Sequence, residues 1–164
     1  MMKFIICILF FFGIGPLNAT QVFCEFEEVY ANGDIQNGII LVNEQKIRYE
    51  YLDPALYTIF ANKELFFLVE NRYTEVFHKI KDKDLSFFQE LKKNISTFPN
   101  IERTYENKDY KVKFELNNDR SFFKRVSINS KSLSMSIYFN NCENRIMENI
   151  YFRHSPYQEL GKFR

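Results

Sequence analysis

The feature that most constrains the fold is the succession of short alternating segments between residues 33 and 76. Its apolar runs are brief, and turn residues such as Asn37-Gly38 and Asp53-Pro54 separate them. Ile47, Tyr49 and Tyr51 alternate with polar side chains, which is the period of two that a β-strand imposes. We therefore predict a chain of short antiparallel strands joined by tight turns.

The same alternation continues towards the C-terminus. Two runs place an apolar residue at every second position, and their apolar members are Val112, Phe114, Leu116, Leu133, Met135, Ile137 and Phe139. Asn129-Ser130 and Asn140-Asn141 carry turn residues, so we predict turns at both places. Strands of this kind suit a sheet with one covered face and one face in water.

One segment has helical spacing instead. Between residues 84 and 94, Leu85, Phe88 and Leu91 recur at intervals that share a helix face. Asp84 is suited to cap the start, and Lys92-Lys93 lies at the favourable C-terminal end. We predict one helix here, packed against the sheet.

These elements predict a mainly β (α+β) fold over residues 20–164, with no sign of a second domain. We expect a strongly curved antiparallel sheet, or unclosed β-barrel, of about 8–10 strands with a helix on its concave face. A helix of about three turns cannot cover the inner face of such a sheet. Either the sheet closes, or an apolar cavity remains.

Residues 1–19 have the pattern of a cleaved secretory signal peptide. Lys3 supplies the positive charge, residues 4–14 form the apolar core, and Ala19 precedes the expected cleavage site. An uncleaved anchor is the alternative, although the apolar run is short for a bilayer span. Lys3 is the only charged residue before residue 20, so the remaining chain loses one of 22 basic residues and is formally neutral against 21 acidic ones. A neutral chain offers no basic field for nucleic acid.

Export would leave two cysteines, Cys24 and Cys142, because Cys7 departs with the signal. In an oxidising compartment such a pair often closes a disulfide. The bond would enclose over a hundred residues, for which loop entropy predicts a stabilisation of about 4 to 5 kcal/mol. The alternative is two buried thiols that never meet.

The order of motifs in 33–76 resembles the first half of the outer-membrane lipoprotein carrier (LolA-like) family. The resemblance is carried by a glycine-led strand, then Lys46, then Arg48-Tyr49-Glu50-Tyr51-Leu52-Asp53-Pro54, and then the aromatic hairpin around Phe66-Phe67. It extends more diffusely to Phe152. The resemblance implies an unclosed barrel with a helical lid. Its cavity would shelter lipoprotein acyl chains that cross the periplasm from an inner-membrane lipoprotein-releasing transporter to an outer-membrane receptor.

An acyl carrier needs a soft apolar lining, and aromatic residues make up 18% of this chain. The candidates for that lining are Tyr49, Tyr51, Phe66, Leu68, Phe88, Leu91, Phe114, Leu116, Met135 and Ile137. For each of them, a place in an ordinary core is the alternative. The chain departs from the family in two ways: Val22-Phe23-Cys24-Glu25-Phe26 is already strand-like where a helix is usual, and Asn43-Glu44-Gln45 stands where a basic residue, proline and glycine are usual.

No catalytic pattern is apparent. The two histidines, His78 and His154, have no partners at metal-ligand spacing, and no nucleophile elbow, phosphate loop or dinucleotide fingerprint occurs. We therefore expect a monomeric periplasmic protein that is not an enzyme, with no metal, cofactor or nucleic-acid partner. The alternative function is a secreted β-domain that binds a protein or peptide and carries no lipid. A secreted hydrolase is a weaker possibility, since it would need convergent polar residues.

Overall fold

The computed structural model describes residues 21–62, 65–73, 77–79, 86–119 and 121–153. Ten strands form one antiparallel sheet. They are β1 (Gln21–Tyr30), β2 (Ile35–Asn43), β3 (Lys46–Tyr51), β4 (Tyr57–Asn62), β5 (Leu65–Glu70), β6 (Phe77–Lys79), β7 (Thr104–Glu106), β8 (Tyr110–Leu116), β9 (Phe123–Ser130) and β10 (Ser134–Asn144). Helix α1 (Ser86–Ser96) lies between β6 and β7, and a 3₁₀ turn (Asn149–Phe152) follows β10.

The sheet consists of two meanders that meet at its centre. The strand order is β6-β5-β4-β3-β2-β1-β10-β9-β8-β7. Strands β1 to β6 run outward from the centre to one edge, and β7 to β10 run inward from the other edge. The first and last strands therefore pair with each other, so the middle of the sheet joins the two ends of the described chain.

One face of the sheet carries the main hydrophobic core. Across the central pair, Phe26 lies opposite Phe139 and Glu28 opposite Ile137, which places alternate residues of both strands on this face. Helix α1 packs onto it through Phe88, Leu91 and Ile95, all of them buried. We call this side of the sheet the helix face. The amphipathic spacing of α1 explains its docking, because its apolar residues occupy one side of the helix.

The fold class and the number of strands agree with the sequence prediction. The prediction of a strongly curved sheet is wrong, because the sheet is neither closed nor strongly curled. The prediction assumed that only a helix could cover the inner face. Side chains outside the regular elements also cover it, because Phe98, Ile101 and Phe122 pack on the same cluster. With those additional side chains, an open sheet can bury its apolar face without closing.

The helix and the N-terminus differ from the prediction in what the structure describes. Helix α1 runs from Ser86 to Ser96, about one half-turn later than the predicted 84–94. Asp84, Leu85 and the predicted signal peptide at 1–19 lie outside the described residues. Within the described ranges, no helix has both the length and the apolar character that a membrane crossing requires.

Three predicted turns fall on strand residues. Asn129-Ser130 ends β9, and the connection to β10 follows at 131–133. The other two predicted turns lie inside strands. Asn37-Gly38 lies within β2, where Gly38 pairs with Phe26 of β1. A Cβ at Gly38 would collide with the Phe26 ring and with the Glu50 carbonyl oxygen. The glycine therefore allows an aromatic ring to approach the backbone closely, and it does not form a turn.

Asn140-Asn141 lies within β10, at a bulge opposite the Phe23–Glu25 segment of β1. Asn141 adopts a positive φ of 49°, which asparagine tolerates better than most residues. Next to this bulge, Cys24 and Cys142 form a disulfide with an S–S distance of 2.10 Å, across a sequence separation of 118. The disulfide suggests an oxidising, extracytoplasmic compartment.

The opposite face is polar in one half and covered in the other. On β8 and β9, Arg125 donates to Glu115 at 2.6 Å. On β2, Ile39 and Leu41 form a second buried cluster with Met147 and Phe152 from the C-terminal segment. This segment thus covers part of the sheet that would otherwise expose apolar residues.

Arg48 fastens the C-terminal segment to the sheet. It is 4% exposed, pairs with Glu50 at 2.7 Å and donates to the Tyr151 carbonyl oxygen at 3.2 Å. Its guanidinium also lies 5.6 Å from the centre of the Phe60 ring. These contacts give Arg48 a structural role.

Candidate functional site

The proposed acyl-lining residues come together on the helix face. Eight of the ten belong to the main core cluster and are buried: Tyr49, Tyr51, Phe66, Phe88, Leu91, Phe114, Met135 and Ile137. Leu116 is partly buried against the same cluster. Leu68 is half-buried and pairs with Ile59, a cluster member on the adjacent strand. Eight strands and the helix contribute residues to this cluster, so the positions lie together although they are distant in sequence.

Helix α1 contacts the sheet through aromatic rings. Phe88 meets Tyr49 edge to face, with ring centroids 5.1 Å apart. Tyr49 in turn stacks on Phe26 with centroids 3.9 Å apart. The Lys92 ammonium lies 5.6 Å from the centre of the Phe66 ring, beside the same contact. Aromatic pairs of this kind contribute about 0.5–1.5 kcal/mol each beyond area burial, so they position α1 without a polar latch.

A carboxylate lies within this apolar face. Glu28 on β1 has no exposed surface. The hydroxyl of Tyr49 donates to its Oε1 at 2.7 Å, and that of Tyr30 donates to its Oε2 at 2.6 Å. The Tyr51 hydroxyl lies 3.0 Å from both oxygens. We call Glu28 with Tyr30, Tyr49 and Tyr51 the carboxylate cluster.

The sequence analysis did not identify Glu28, although a signal was available. Val22, Cys24 and Phe26 alternate on β1 and all face the core, and Glu28 is the next residue in that series. Its neighbour Glu27 lies on the opposite face. Charged residues are almost never fully buried unless they are paired, so the position of Glu28 in this series is by itself a weak signal of burial.

The environment of the cluster keeps its tyrosines protonated. Burial raises the pKa of Tyr49 and Tyr51 well above the ordinary value, and the nearby Glu28 charge raises it further. Burial, followed by hydrogen bonding to Glu28, likewise raises the pKa of Tyr30. The hydroxyls therefore remain donors, which is what a buried carboxylate requires.

An open cleft adjoins the carboxylate cluster. It has a volume of about 170 Å³ and is lined by Tyr30, Asp34, Gln36, Tyr51, Leu56 and Tyr57. The rings of Tyr51 and Tyr57 meet edge to face with centroids 5.3 Å apart, and burial raises the pKa of Tyr57 as well. Tyr30 and Tyr51 belong to both the cleft and the cluster, so these two side chains connect the cleft with Glu28. We call this feature the tyrosine cleft.

A second, larger opening lies at the start of β7, beside β8. Its volume is about 400 Å³, and its lining includes Arg103, Lys113 and Glu115 as well as Phe114 and Leu116. Strand β7 has only three residues, whereas β8 has seven. The opening is therefore partly bounded by the backbone of β8 that β7 does not cover.

The described part of the chain brings no three His, Cys, Asp or Glu side chains together in a way that could hold a metal ion. His78 is exposed and lies 3.9 Å from Glu70. His154 lies outside the described residues. No protein-family model matches the sequence, and no curated protein is significantly similar to it.

Proposed function

We propose that the protein is a periplasmic carrier that binds the acyl chains of lipoproteins between the helix face and α1. In this proposal it would receive them from an inner-membrane transporter and deliver them to an outer-membrane receptor. The observation that carries the proposal is that α1 is the one regular element packed on the helix face among the described residues, while irregular segments supply the rest of the cover. Helix α1 has 11 residues and is about 16 Å long, whereas ten strands at about 4.8 Å spacing span roughly three times that distance.

The chemistry of the face suits an acyl chain. Burying one CH₂ group stabilises a complex by about 0.8 kcal/mol, and no directional contact is required. An entering acyl chain would replace the apolar contact between Phe88 and Tyr49 with another apolar contact. Displacement of α1 would therefore expose little apolar surface to water. Soft side chains such as Met135 and Leu91 can adjust to a flexible guest.

Two further observations support the cellular part of the proposal. The disulfide between Cys24 and Cys142 is consistent with a periplasmic location. The motif order from Lys46 to Pro54, which resembles the lipoprotein carrier family, lies on β3 and the turn that follows it. Tyr49 and Tyr51 of that motif face α1, on the side where the cavity of a carrier would form.

A peptide-binding β-domain is the second candidate function. The 400 Å³ opening beside β7 favours it, because a short edge strand leaves backbone groups of the neighbouring strand available for an added strand. In that case the partner would lie along β8 near Glu115 and Leu116, and the helix face would be ordinary core.

Native mass spectrometry of residues 20–164, purified from a periplasm before and after organic extraction, tests the carrier proposal. We expect bound species with acyl-chain masses that extraction removes, and binding of a fluorescent fatty-acyl probe by the extracted protein. A clean unliganded mass together with no probe binding would contradict the carrier and favour the peptide-binding domain.

Two leucines provide matched variants, because both have no exposed surface but lie on opposite faces. Leu91 of α1 belongs to the helix-face cluster, whereas Leu41 of β2 belongs to the cluster under the C-terminal segment. Each change to alanine should destabilise the fold by about 2–5 kcal/mol. Only Leu91→Ala should alter the affinity for the acyl probe; an equal change in Leu41→Ala would place binding elsewhere.

A further inference from the structure

We propose that the tyrosine cleft binds a small alkylammonium group, the cationic chemistry of choline and ethanolamine. The proposal rests on the cleft alone and does not depend on the acyl-carrier function. Three observations support it: the charge around the cleft, the aromatic character of its walls, and its size.

The charge favours a cation. Asp34 contributes a carboxylate to the lining, and the described lining includes no Lys, Arg or His. Glu28 lies next to Tyr30 and Tyr51 and accepts from the hydroxyls of Tyr30, Tyr49 and Tyr51, the last of which lies 3.0 Å from both carboxylate oxygens. It also takes part in none of the ion pairs of the described residues. A cation in the cleft would thus lie near two carboxylates. That of Asp34 belongs to the lining, and that of Glu28 lies beyond the hydroxyls of Tyr30 and Tyr51.

The walls favour an alkylated cation over a bare metal ion. The rings of Tyr30, Tyr51 and Tyr57 surround the cleft, and Tyr51 and Tyr57 stand nearly perpendicular at 77°. Tyr51 is buried and supports the wall from behind, so Tyr30 and Tyr57, both half-buried, supply most of the aromatic surface that a guest can reach. Aromatic surface of this kind recognises quaternary ammonium groups. Tyr30 and Tyr51 donate their hydroxyl protons to a carboxylate, which makes the phenol groups more electron-rich and strengthens their attraction for a cation.

The volume limits the guest to one small group. A cavity of about 150 Å³ accommodates benzene, whereas pockets for drug-sized ligands begin at about 300 Å³. At about 170 Å³, the cleft matches a headgroup of six or seven heavy atoms. Leu56 contributes apolar surface for the alkyl part, and Gln36 offers an amide that can bond a hydroxyl or phosphate oxygen attached to it.

The first experiment compares choline with 3,3-dimethylbutan-1-ol, which has the same shape without the charge. We expect choline to bind saturably and to shift the amide NMR signals of Asp34 and Gln36. The alcohol should bind about tenfold more weakly, because only the cation gains the ring and carboxylate attraction. Equal affinities, or shifts distributed elsewhere on the protein, would overturn the proposal.

Variants of two accessible lining residues test the carboxylate and the aromatic ring of the cleft separately, and they leave the carboxylate cluster unchanged. Asp34 is exposed and Tyr57 is half-buried, so changes there should leave the fold intact. Asp34→Asn and Tyr57→Leu should each weaken choline binding by about fivefold, whereas Tyr57→Phe keeps the ring and should keep the affinity. The control is Asp109→Asn, an exposed acid in the turn between β7 and β8, which should have no effect. A loss in Asp109→Asn equal to that in Asp34→Asn would indicate non-specific attraction and overturn the proposal.

A third experiment distinguishes a free cation from a lipid headgroup. Vesicles of phosphatidylcholine and vesicles of phosphatidylglycerol are floated with the wild-type protein and with Tyr57→Leu. Flotation only with phosphatidylcholine, lost in Tyr57→Leu, would assign the cleft to a lipid headgroup; choline binding without flotation would assign it to a free cation. No binding of either choline or phosphatidylcholine would overturn the proposal, while the acyl-probe assay would still decide the carrier function separately.

Discussion

Glu28 shows how a single charged residue can be accommodated in an apolar face. Burying a lone carboxylate costs several kcal/mol, and three tyrosine hydroxyls offset that cost by donating to it. The arrangement is specific because each hydroxyl is held by its own packed ring. Tyr49, for example, is held between Phe26 and Phe88.

Replacing Glu28 with glutamine tests this accommodation. Glutamine keeps the shape but presents an NH₂ group to hydroxyls that were donating, so at least one polar group loses its partner. We expect Glu28→Gln to lower the free energy of unfolding by about 1–3 kcal/mol, measured by urea denaturation. Glu27→Gln changes the neighbouring residue on the opposite face and should stay within about 0.5 kcal/mol. Equal effects of the two variants would contradict the role of Glu28.

The buried tyrosines predict a loss of stability at alkaline pH. The pKa values of Tyr30, Tyr49 and Tyr51 are raised in the folded protein, mainly by burial, from an ordinary value of 10.0. A raised pKa contributes stability that is complete below pH 10 and is lost as the pH rises towards the folded values, since the unfolded chain releases its protons first. Tyrosinate absorbance and circular dichroism, recorded together, should show ionisation of these residues only as the fold is lost. Ionisation of every tyrosine in a fully folded protein would contradict the structure.

At the scale of elements, Asn94 connects α1 to the chain that follows it. Asn94 is 1% exposed; its amide donates to the Glu90 carbonyl oxygen at 3.2 Å, and its Oδ1 accepts from the Glu102 amide at 2.7 Å. A bond across eight residues fixes where the chain turns back towards β7. This residue sets the exit of the helix more firmly than the exposed pair between Lys93 and Glu102, which surface screening weakens.

Asn94→Ala is therefore expected to destabilise the fold by about 1–3 kcal/mol, because it leaves the Glu102 amide without a partner. Lys93→Ala removes the exposed ion pair and serves as the control, with a clearly smaller effect. Thermal unfolding of both variants provides the measurement. If Lys93→Ala were the more damaging change, the ion pair and not Asn94 would hold the helix exit.

The sequence predicts strands well where the alternation of apolar and polar residues is unbroken. It predicts them poorly where residues typical of turns lie inside strands. The alternation predicted β3, β8 and most of β10, because side-chain period decides the face that each residue occupies. It also placed the proposed acyl-lining residues on one face. Asn37-Gly38 and Asn140-Asn141 were taken as turns, but the first accommodates the Phe26 ring and the second forms a bulge. Those uses depend on contacts with a distant strand, which local spacing cannot reveal.

For the molecule as a whole, the disulfide joins the two meanders at the centre of the sheet. Cys24 lies on β1 and Cys142 on β10, so the bond links the strands that join the two halves. The alternative of two separate thiols is therefore not what the structure shows. The tyrosine cleft could not be predicted in the same way. Its lining comes from β1 to β4 and from the turns before β2 and β4, and it depends on the register of these strands.

Removal of the disulfide should show how much this bond contributes to the stability of the sheet that the two meanders form. The variant Cys24→Ala/Cys142→Ala should lose up to about 4–5 kcal/mol, the entropy of closing a loop with a separation of 118 residues. Thermal unfolding should show the loss, and a reductant should lower the melting temperature of the wild type but not of the variant. Indifference of the wild type to a reductant that fully opens the bond would contradict this expectation.

The pairing of the first strand with the last also fixes the order in which the chain can fold. As a chain is made from its N-terminus, β1 and β2 become available early, but the other edge of β1 stays unpaired until β10 is made, more than a hundred residues later. Contacts between such distant segments form slowly, and an unpaired strand edge invites association with other chains. A newly made molecule would thus pass through a stage in which half of the sheet is formed and the edge of β1 is exposed. Until the final strand pairs with β1, the molecule would escape aggregation only through dilution or through assistance from other proteins.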